Sequence, residues 1–132
     1  MGKLLRMPAT RKTKSPAPKA KPAAARLSFA QVMAELEQGL SRIAAHPNVG
    51  DVRRRGMMVG IELVRDRATR AEYAYGLRAG HQVCLEARSL GAILRPLGNV
   101  VVLMPPLAMT EAELARLGEM ACHGIERVTA RI

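Results

Sequence analysis

The chain has 132 residues, which is enough for one small domain with a core but too few for a large enzyme. Its formal charge is +10, yet residues 1–27 hold eight basic residues and no acid, whereas the remainder carries 13 arginines against 11 acids. These numbers argue against a uniformly basic nucleic-acid-binding fold, and they predict a near-neutral domain that follows a basic segment.

Residues 1–27 are rich in lysine, proline and alanine and contain no aromatic residue. Such a composition cannot bury enough apolar surface to offset the entropy of ordering, so it predicts a disordered tail. Two interpretations of this tail stay open. It is either a solvated extension or a segment that makes weak nucleic-acid contacts by neutralising phosphates.

Residues 28–132 predict an α+β domain with the order α-β-β-α-β-β-α, in which helices pack on a small sheet. The first helix begins at a capping box formed by Ser28 and Gln31, and it ends before Pro47. VGDVRRRG and MMVGIELV then predict two strands that meet at Gly56. Apolar side chains recur on one face of the first helix, namely Phe29, Val32, Met33, Leu36, Leu40 and Ile43.

The segment DRATRAEY predicts a loop, and a helical pattern follows from about residue 74 to 90, with Gly91 as its cap. AILR and NVVVLM predict two more strands around a turn at residues 96–98. The last helix begins at a second capping box, formed by Thr110 and Glu113. The longest uncharged run is too short for a membrane span and contains three prolines.

A single charge, Arg95, interrupts the apolar stretch GAILRPLGNVVVLMPPL at residues 91–107. A guanidinium stays protonated at physiological pH and is seldom buried without a partner. Its planar set of donors matches a carboxylate bidentately, and Pro96 favours an extended backbone at Arg95. The residues alone leave three interpretations open: a carboxylate clamp, a solvated arginine at a sheet edge, or a pair with an acid such as Glu62.

Histidine and cysteine form two weaker candidate sites, His81 with Cys84 and Cys122 with His123. Neither pair has C-x-x-C spacing and both lie on predicted helices, so buried cysteines are favoured over a zinc site. Two cysteines also imply no disulfide framework, which indicates a reducing cytoplasm.

Three further patterns have structural interpretations. Arg53-Arg54-Arg55 lies in a predicted strand, where alternation sends neighbouring side chains to opposite faces. The Gly-x-x-x-Gly spacings, Gly56 to Gly60 and Gly76 to Gly80, are interpreted as uninformative outside a membrane span. Several methionines fit a core that is short of aromatic residues: Met57, Met58, Met104, Met109 and Met120.

The run VGDVRRRGMMVGIELV, followed by a helix and then by GAILRPLGNVVVLMPPLAMTEAELARL, resembles the C-terminal small domain of the class III pyridoxal-phosphate aminotransferases. The resemblance covers about residues 47–130, and LRPLGNVVVLMPPL is similar to the biotin-biosynthesis members of that family in particular. It implies the small lobe of a fold-type I enzyme that is a cytoplasmic homodimer. It also implies that Arg95 pairs with the carboxylate of a keto-amine substrate.

The resemblance also implies catalytic groups that residues 28–132 do not supply. A pyridoxal-phosphate aminotransferase needs a lysine for the Schiff base and an acid at the pyridine nitrogen. Every lysine here lies between Lys3 and Lys21. We therefore expect a fragment of such an enzyme that is not catalytic alone and has no cofactor-binding or metal-binding residue. The alternative is a small nucleic-acid-associated protein that acts through residues 1–27.

Overall fold

A computed structural model describes residues 27–132 and contains the helices and strands that the sequence predicts. The predicted order is confirmed, with one short strand added. The predicted tail lies outside the described residues, apart from Leu27, which packs against the core. In chain order the elements are α1 (Phe29–Ala44), β1 (Val49–Arg55), β2 (Met58–Asp66), β3 (Ala71–Glu72), a 3₁₀ turn (Tyr75–Leu77), α2 (Ala79–Ser89), β4 (Arg95–Leu97), β5 (Val100–Leu103) and α3 (Glu111–Thr129).

Two hairpins build the sheet, whose strand order is β1-β2-β5-β4 with antiparallel neighbours. Each hairpin turns through two residues, and the first of them is a glycine with positive φ, Gly56 at 58° and Gly98 at 59°. A positive φ at only the first central position is what a type II′ turn requires. The second turn therefore lies at Gly98–Asn99, later than the predicted 96–98, because only glycine adopts that φ without strain.

The segment AILR is not the strand that its apolar pattern predicts, since β4 begins only at Arg95. Helix α2 ends in a Schellman motif, in which Gly91 donates to the carbonyl oxygen of Arg88 and Ala92 donates to that of Ala87. The N–H of Ala92 is thus already used by the end of the helix. Because of this hydrogen bond, the chain joins the sheet only at Arg95.

The segment between β2 and α2 is more ordered than the predicted loop. Ala71–Glu72 forms β3, which pairs with the end of β2. The 3₁₀ turn at Tyr75–Leu77 comes next, and Arg78 has a left-handed backbone with a φ of 50°. Because that conformation cannot continue a helix, α2 begins at Ala79 and not near residue 74.

Helices α1 and α2 pack against the strands, α3 packs against α1 and α2, and the core lies among these elements. Alternate residues of β2 and β5 point into this core and are almost completely buried: Val59, Ile61, Leu63, Val101 and Leu103. The opposite face, called the open face below, carries Met58, Gly60, Glu62, Val100 and Val102, and no helix in residues 27–132 covers it. Among the same residues, no helix combines the length and apolar character that crossing a bilayer requires.

Three of the predicted core side chains are exposed. Phe29 at the first turn of α1 is 60% exposed, and Met58 and Met104 on the open face are 50% and 63% exposed. Met58 is exposed because successive side chains of a strand point to opposite faces, and its neighbour Val59 points into the core. The other predicted core methionines are partly buried and pack against the core: Met57, Met109 and Met120.

The capping box of α1 allows a direct test with two serines of the same helix. The Ser28 hydroxyl accepts a hydrogen bond from the Gln31 N–H, and the Gln31 side chain accepts one from the Ser28 N–H. We expect Ser28→Ala to lower the free energy of unfolding by about 1 kcal/mol. The Ser41 hydroxyl, in the last turn of α1, donates only to the Glu37 carbonyl oxygen, so Ser41→Ala should change this free energy by less than about 0.5 kcal/mol. Urea denaturation measures both, and equal losses would contradict this role of Ser28.

Candidate functional site

Arg95 is the first residue of β4, which is an edge strand of the sheet. In the register of the sheet it lies opposite Val102, which lies opposite Gly60, which in turn lies opposite Arg53. Directly opposed residues carry their side chains on the same face. Arg95 is therefore on the open face, and its side chain is exposed.

A hollow of about 460 Å³ lies beside Arg95 on this side of the sheet. Arg95 is its one charged lining residue, and the other residues are apolar: Ile93, Leu94, Pro96, Val102 and Met104. Apolar walls with a single placed charge are typical of sites that bind a ligand with an apolar body and one ionised end. A guanidinium in that place suits a carboxylate.

The structure removes one of the three interpretations of Arg95. Glu62 does not pair with it, because the Glu62 carboxylate lies 3.7 Å from the guanidinium of Arg53 and 3.7 Å from that of Arg70. Within residues 27–132, no carboxylate lies within 4.0 Å of the Arg95 guanidinium. Its donors are therefore directed to solvent or to a ligand.

The turn that follows Arg95 is held by hydrogen bonds on the side of β2 and β3. The Asn99 side chain donates to the carbonyl oxygen of Tyr73 over 2.9 Å. The Asn99 carbonyl oxygen accepts from the N–H of Leu63 over 2.8 Å. This role of Asn99 is not among the predictions made from the sequence, although a Gly-Asn pair between two apolar runs is a recognisable turn signal.

Gly80, in the first turn of α2, also contacts this turn. A Cβ atom built on Gly80 would lie 2.5 Å from the carbonyl oxygen of Gly98 and 3.3 Å from that of Val100. A Cβ built on Gly76 would meet nothing within 4 Å. The Gly76-to-Gly80 spacing is thus uninformative as a motif, but Gly80 itself has a specific packing role that the sequence analysis missed.

The arginine run of β1 alternates as predicted. Arg53 faces Asp51 at 3.5 Å and Glu62 on the open face, whereas Arg54 crosses to α1 and pairs with Glu37 at 2.8 Å. Exposed pairs of this kind are typically worth about 0–1 kcal/mol. Arg53 and Arg54 are therefore engaged in ion pairs within the domain.

Both cysteines are buried free thiols, as the sequence analysis favours. Burial raises the pKa of the Cys84 thiol to about 11. Burial also raises the pKa of Cys122, and the hydrogen bond that its thiol donates to Glu126 raises it further. No group of three or more histidine, cysteine, aspartate or glutamate side chains that could hold a metal ion comes together within the part of the chain that the structure describes.

These raised pKa values predict slow thiol chemistry. At about pH 8, a thiol with a pKa of about 11 is ionised in roughly one molecule in a thousand, and the thiolate is the reactive form. We expect the native chain to react with a chromogenic disulfide reagent far more slowly than the same chain in guanidinium chloride. Labelling at equal rates in both conditions would show that the thiols are accessible in the native fold.

Comparisons with known proteins show which family this chain resembles. Residues 24–125 match the family model for aminotransferase class-III. The adenosylmethionine-8-amino-7-oxononanoate aminotransferase of Nitratidesulfovibrio vulgaris is 62% identical over 83 residues, which are 63% of this chain and 15% of the relative. The enzyme of the same name from Geobacter sulfurreducens is 47% identical over 94 residues, 71% of this chain and 21% of the relative. The chain thus spans about a fifth or less of these relatives.

Solved structures show the same fold. The adenosylmethionine-8-amino-7-oxononanoate aminotransferase of Methanocaldococcus jannaschii superposes with a TM-score of 0.72 and 38% identity, over 75% of this chain and 23% of that one. The PMP-bound aminotransferase of Vibrio fluvialis gives a TM-score of 0.75 and 31% identity, over 79% of this chain and 23% of that one. Since sequence and fold agree over most of its length, the chain belongs to the class-III aminotransferase family.

Proposed function

We propose that this chain is a C-terminal lobe of a pyridoxal-phosphate-dependent aminotransferase of biotin biosynthesis, and that Arg95 binds the carboxylate of its keto-amine substrate. The observation that carries the proposal is Arg95 itself. It lies on the open face beside an apolar hollow, and it has no acidic partner among residues 27–132.

The relatives' name describes the chemistry that Arg95 would meet. 8-Amino-7-oxononanoate carries an amino group and a ketone at one end of an alkyl chain and a carboxylate at the other end. Two parallel N–H donors of a guanidinium can hold both carboxylate oxygens, and the apolar hollow would receive part of the alkyl chain. Arg95 would thereby orient the substrate from the end that does not react.

The described residues do not fit pyridoxal phosphate as a covalently held cofactor. The enzyme family holds this electron-sink cofactor on a lysine in the resting enzyme, and residues 27–132 contain no lysine. We therefore assign this segment a role in substrate binding only. Apolar side chains exposed near Arg95 support contact with another lobe that would supply the remaining groups: Met58, Ile93, Leu97 and Met104.

The same proposal includes a cytoplasmic homodimer. Two free, buried cysteines fit a reducing compartment, where structural disulfides are rare.

The cofactor part of the proposal has a simple test on the purified chain. We expect no stoichiometric, borohydride-trappable adduct with pyridoxal phosphate, because every lysine lies between Lys3 and Lys21. Mass spectrometry after reduction measures the adduct, and any weak labelling should vanish when residues 1–26 are deleted. A stoichiometric adduct that survives this deletion would overturn the assignment.

An exchange enzyme tests the function as a whole. In it, residues 28–132 replace the matching segment of the Nitratidesulfovibrio vulgaris relative, to which this chain is 62% identical over 83 residues. We expect the exchange enzyme to bind cofactor and to transaminate 8-amino-7-oxononanoate. A folded, cofactor-loaded exchange enzyme without activity would show that this segment is not a working lobe of that enzyme.

A second candidate function rests on residues 1–27, whose eight basic residues are accompanied by no acid. Such a segment would bind nucleic acid through phosphates, with an affinity that falls steeply as salt rises. Fluorescence anisotropy with a labelled duplex would compare the full chain with residues 28–132. Binding that is equal for both, or absent from both, would contradict this alternative.

A further inference from the structure

We propose that Gly80 and Asn99 are positioning residues for Arg95. They hold the turn between β4 and β5 through contacts with α2 and with β2 and Tyr73, and in this way they fix where the edge strand presents the Arg95 guanidinium. The inference rests on the proposed function of Arg95 as a carboxylate-binding group, and it adds the residues that pre-organise that group.

The contact at Gly80 is between backbones, which makes it intolerant of change. A Cβ at residue 80 would lie 2.5 Å from the Gly98 carbonyl oxygen, a separation that real Cβ contacts essentially never show. No flexible side chain is available to move aside, because the opposing atoms belong to the turn itself. Helix propensity alone would favour alanine over glycine at this position, so a tertiary contact is the reason for glycine here.

Helix α2 cannot retreat from the turn, because its other side is packed against the core and against α3. Ala79, Val83 and Ala87 are completely buried. Gly124 of α3 is also close to α2, since a Cβ at this glycine would lie 3.1 Å from the Val83 carbonyl oxygen. A side chain at residue 80 would therefore displace the turn and not the helix.

The turn is also held by Asn99. Its side chain holds the carbonyl oxygen of Tyr73 at 2.9 Å, and its own carbonyl oxygen accepts from Leu63 of β2. Gly80 thus limits how closely the turn can approach α2, and Asn99 ties the turn to β2 and to Tyr73. The turn is therefore restrained by two independent sets of contacts.

Displacement of the turn would reach Arg95 because β4 is short and lies at the edge. The strand has three residues, Arg95 to Leu97, and its one ladder partner is β5 through the pairs Arg95–Val102 and Leu97–Val100. A shift at Gly98 is therefore not absorbed by a second neighbouring strand. Misplacement of a binding group by about 1 Å can cost on the order of a hundredfold in rate.

A matched pair of glycine substitutions tests the structural step on the full 132-residue chain. Gly80→Ala should shift the amide NMR signals of residues 95–102, whereas Gly76→Ala, which adds its methyl group in open space, should leave them in place. If Gly80→Ala leaves these signals unchanged, the inference is wrong. If the Gly80→Ala chain does not fold, Asn99→Ala replaces it, and the same signals must then shift.

The exchange enzyme tests the functional step. Gly80→Ala should raise the KM for 8-amino-7-oxononanoate on the order of tenfold, and leave kcat and cofactor absorbance close to those of Gly76→Ala. With the methyl ester, which offers no carboxylate, the two variants should give the same KM. A destabilised fold would instead impair acid and ester alike, and that result would overturn the positioning role.

Failure of the two proposals can be told apart. If Arg95→Ala does not change the preference for acid over ester, the proposed function is wrong, whatever Gly80→Ala does to the NMR signals. If Arg95→Ala abolishes the preference while Gly80→Ala and Asn99→Ala keep it, Arg95 is the clamp and the positioning inference is wrong.

Discussion

Arg95→Ala in the exchange enzyme is expected to lower kcat/KM for 8-amino-7-oxononanoate by about tenfold to a hundredfold, chiefly through a higher KM. A charge-assisted, bidentate hydrogen-bonded pair is typically worth about 1.5–3 kcal/mol, which corresponds to that factor. The loss should appear in KM because Arg95 would bind the end of the substrate that does not react. Cofactor absorbance should stay unchanged, since residues 27–132 contain no lysine that could hold the cofactor covalently.

Three comparisons make this result specific to the carboxylate. Arg95→Lys should recover only part of the loss, because an ammonium is a point charge and lacks the planar pair of donors. Arg127→Ala, which removes an exposed arginine from the last turn of α3, should leave the kinetics unchanged. The methyl ester should react equally well with the parent and with Arg95→Ala. An alanine variant that prefers acid over ester as strongly as its parent would exclude Arg95 as the clamp.

The sequence predicts the starts of the two capped helices, α1 and α3, better than any other feature of this fold. Both capping boxes form as expected, so α1 begins directly after Ser28 and α3 directly after Thr110. The reason is that a capping box is local, and its hydrogen bonds join residues three apart in the chain. Strands β1 and β2 are also predicted correctly from the sequence, because the glycine between them and the alternation around it are local signals.

The errors arise where something other than the apolar pattern decides the structure: a competing hydrogen bond, a left-handed residue or the face on which a side chain lies. AILR has the apolar pattern of a strand, yet the Schellman motif at the end of α2 uses the N–H of Ala92. The helical pattern before α2 extends to about residue 74, but the left-handed backbone of Arg78 starts the helix later. Met104 is apolar and adjacent to β5, but its position on the open face leaves it exposed.

The candidate site, too, was predicted from the sequence only in part. Residue chemistry alone leaves Arg95 with three interpretations, and the resemblance to class III aminotransferases singles out one of them. The structure excludes the pair with Glu62 and places Arg95 on the open face beside a hollow. The contact of Gly80 with Gly98 has no sequence signal, because it joins residues 18 positions apart through backbone atoms.

Two isoleucines provide the largest expected contrast in stability. Ile61 is completely buried at the centre of β2, where it lies between Val52 of β1 and Val101 of β5. Ile61→Ala should lower the free energy of unfolding by about 2–4 kcal/mol, because it removes buried methyl groups and leaves a cavity. Since a small domain is stable by only about 5–15 kcal/mol, this loss should also lower the Tm by roughly 10 °C or more.

Ile93 is the matched control, because it is 84% exposed beside Arg95. Ile93→Ala in the 132-residue chain should change the free energy of unfolding by less than about 0.5 kcal/mol, since an exposed side chain loses little when truncated. Urea denaturation followed by circular dichroism measures both variants. In the exchange enzyme, a much larger cost of Ile93→Ala would indicate that another lobe covers this residue, as the proposed function requires. If Ile93→Ala destabilises the isolated chain as much as Ile61→Ala does, then the open face is not exposed as the structure describes it.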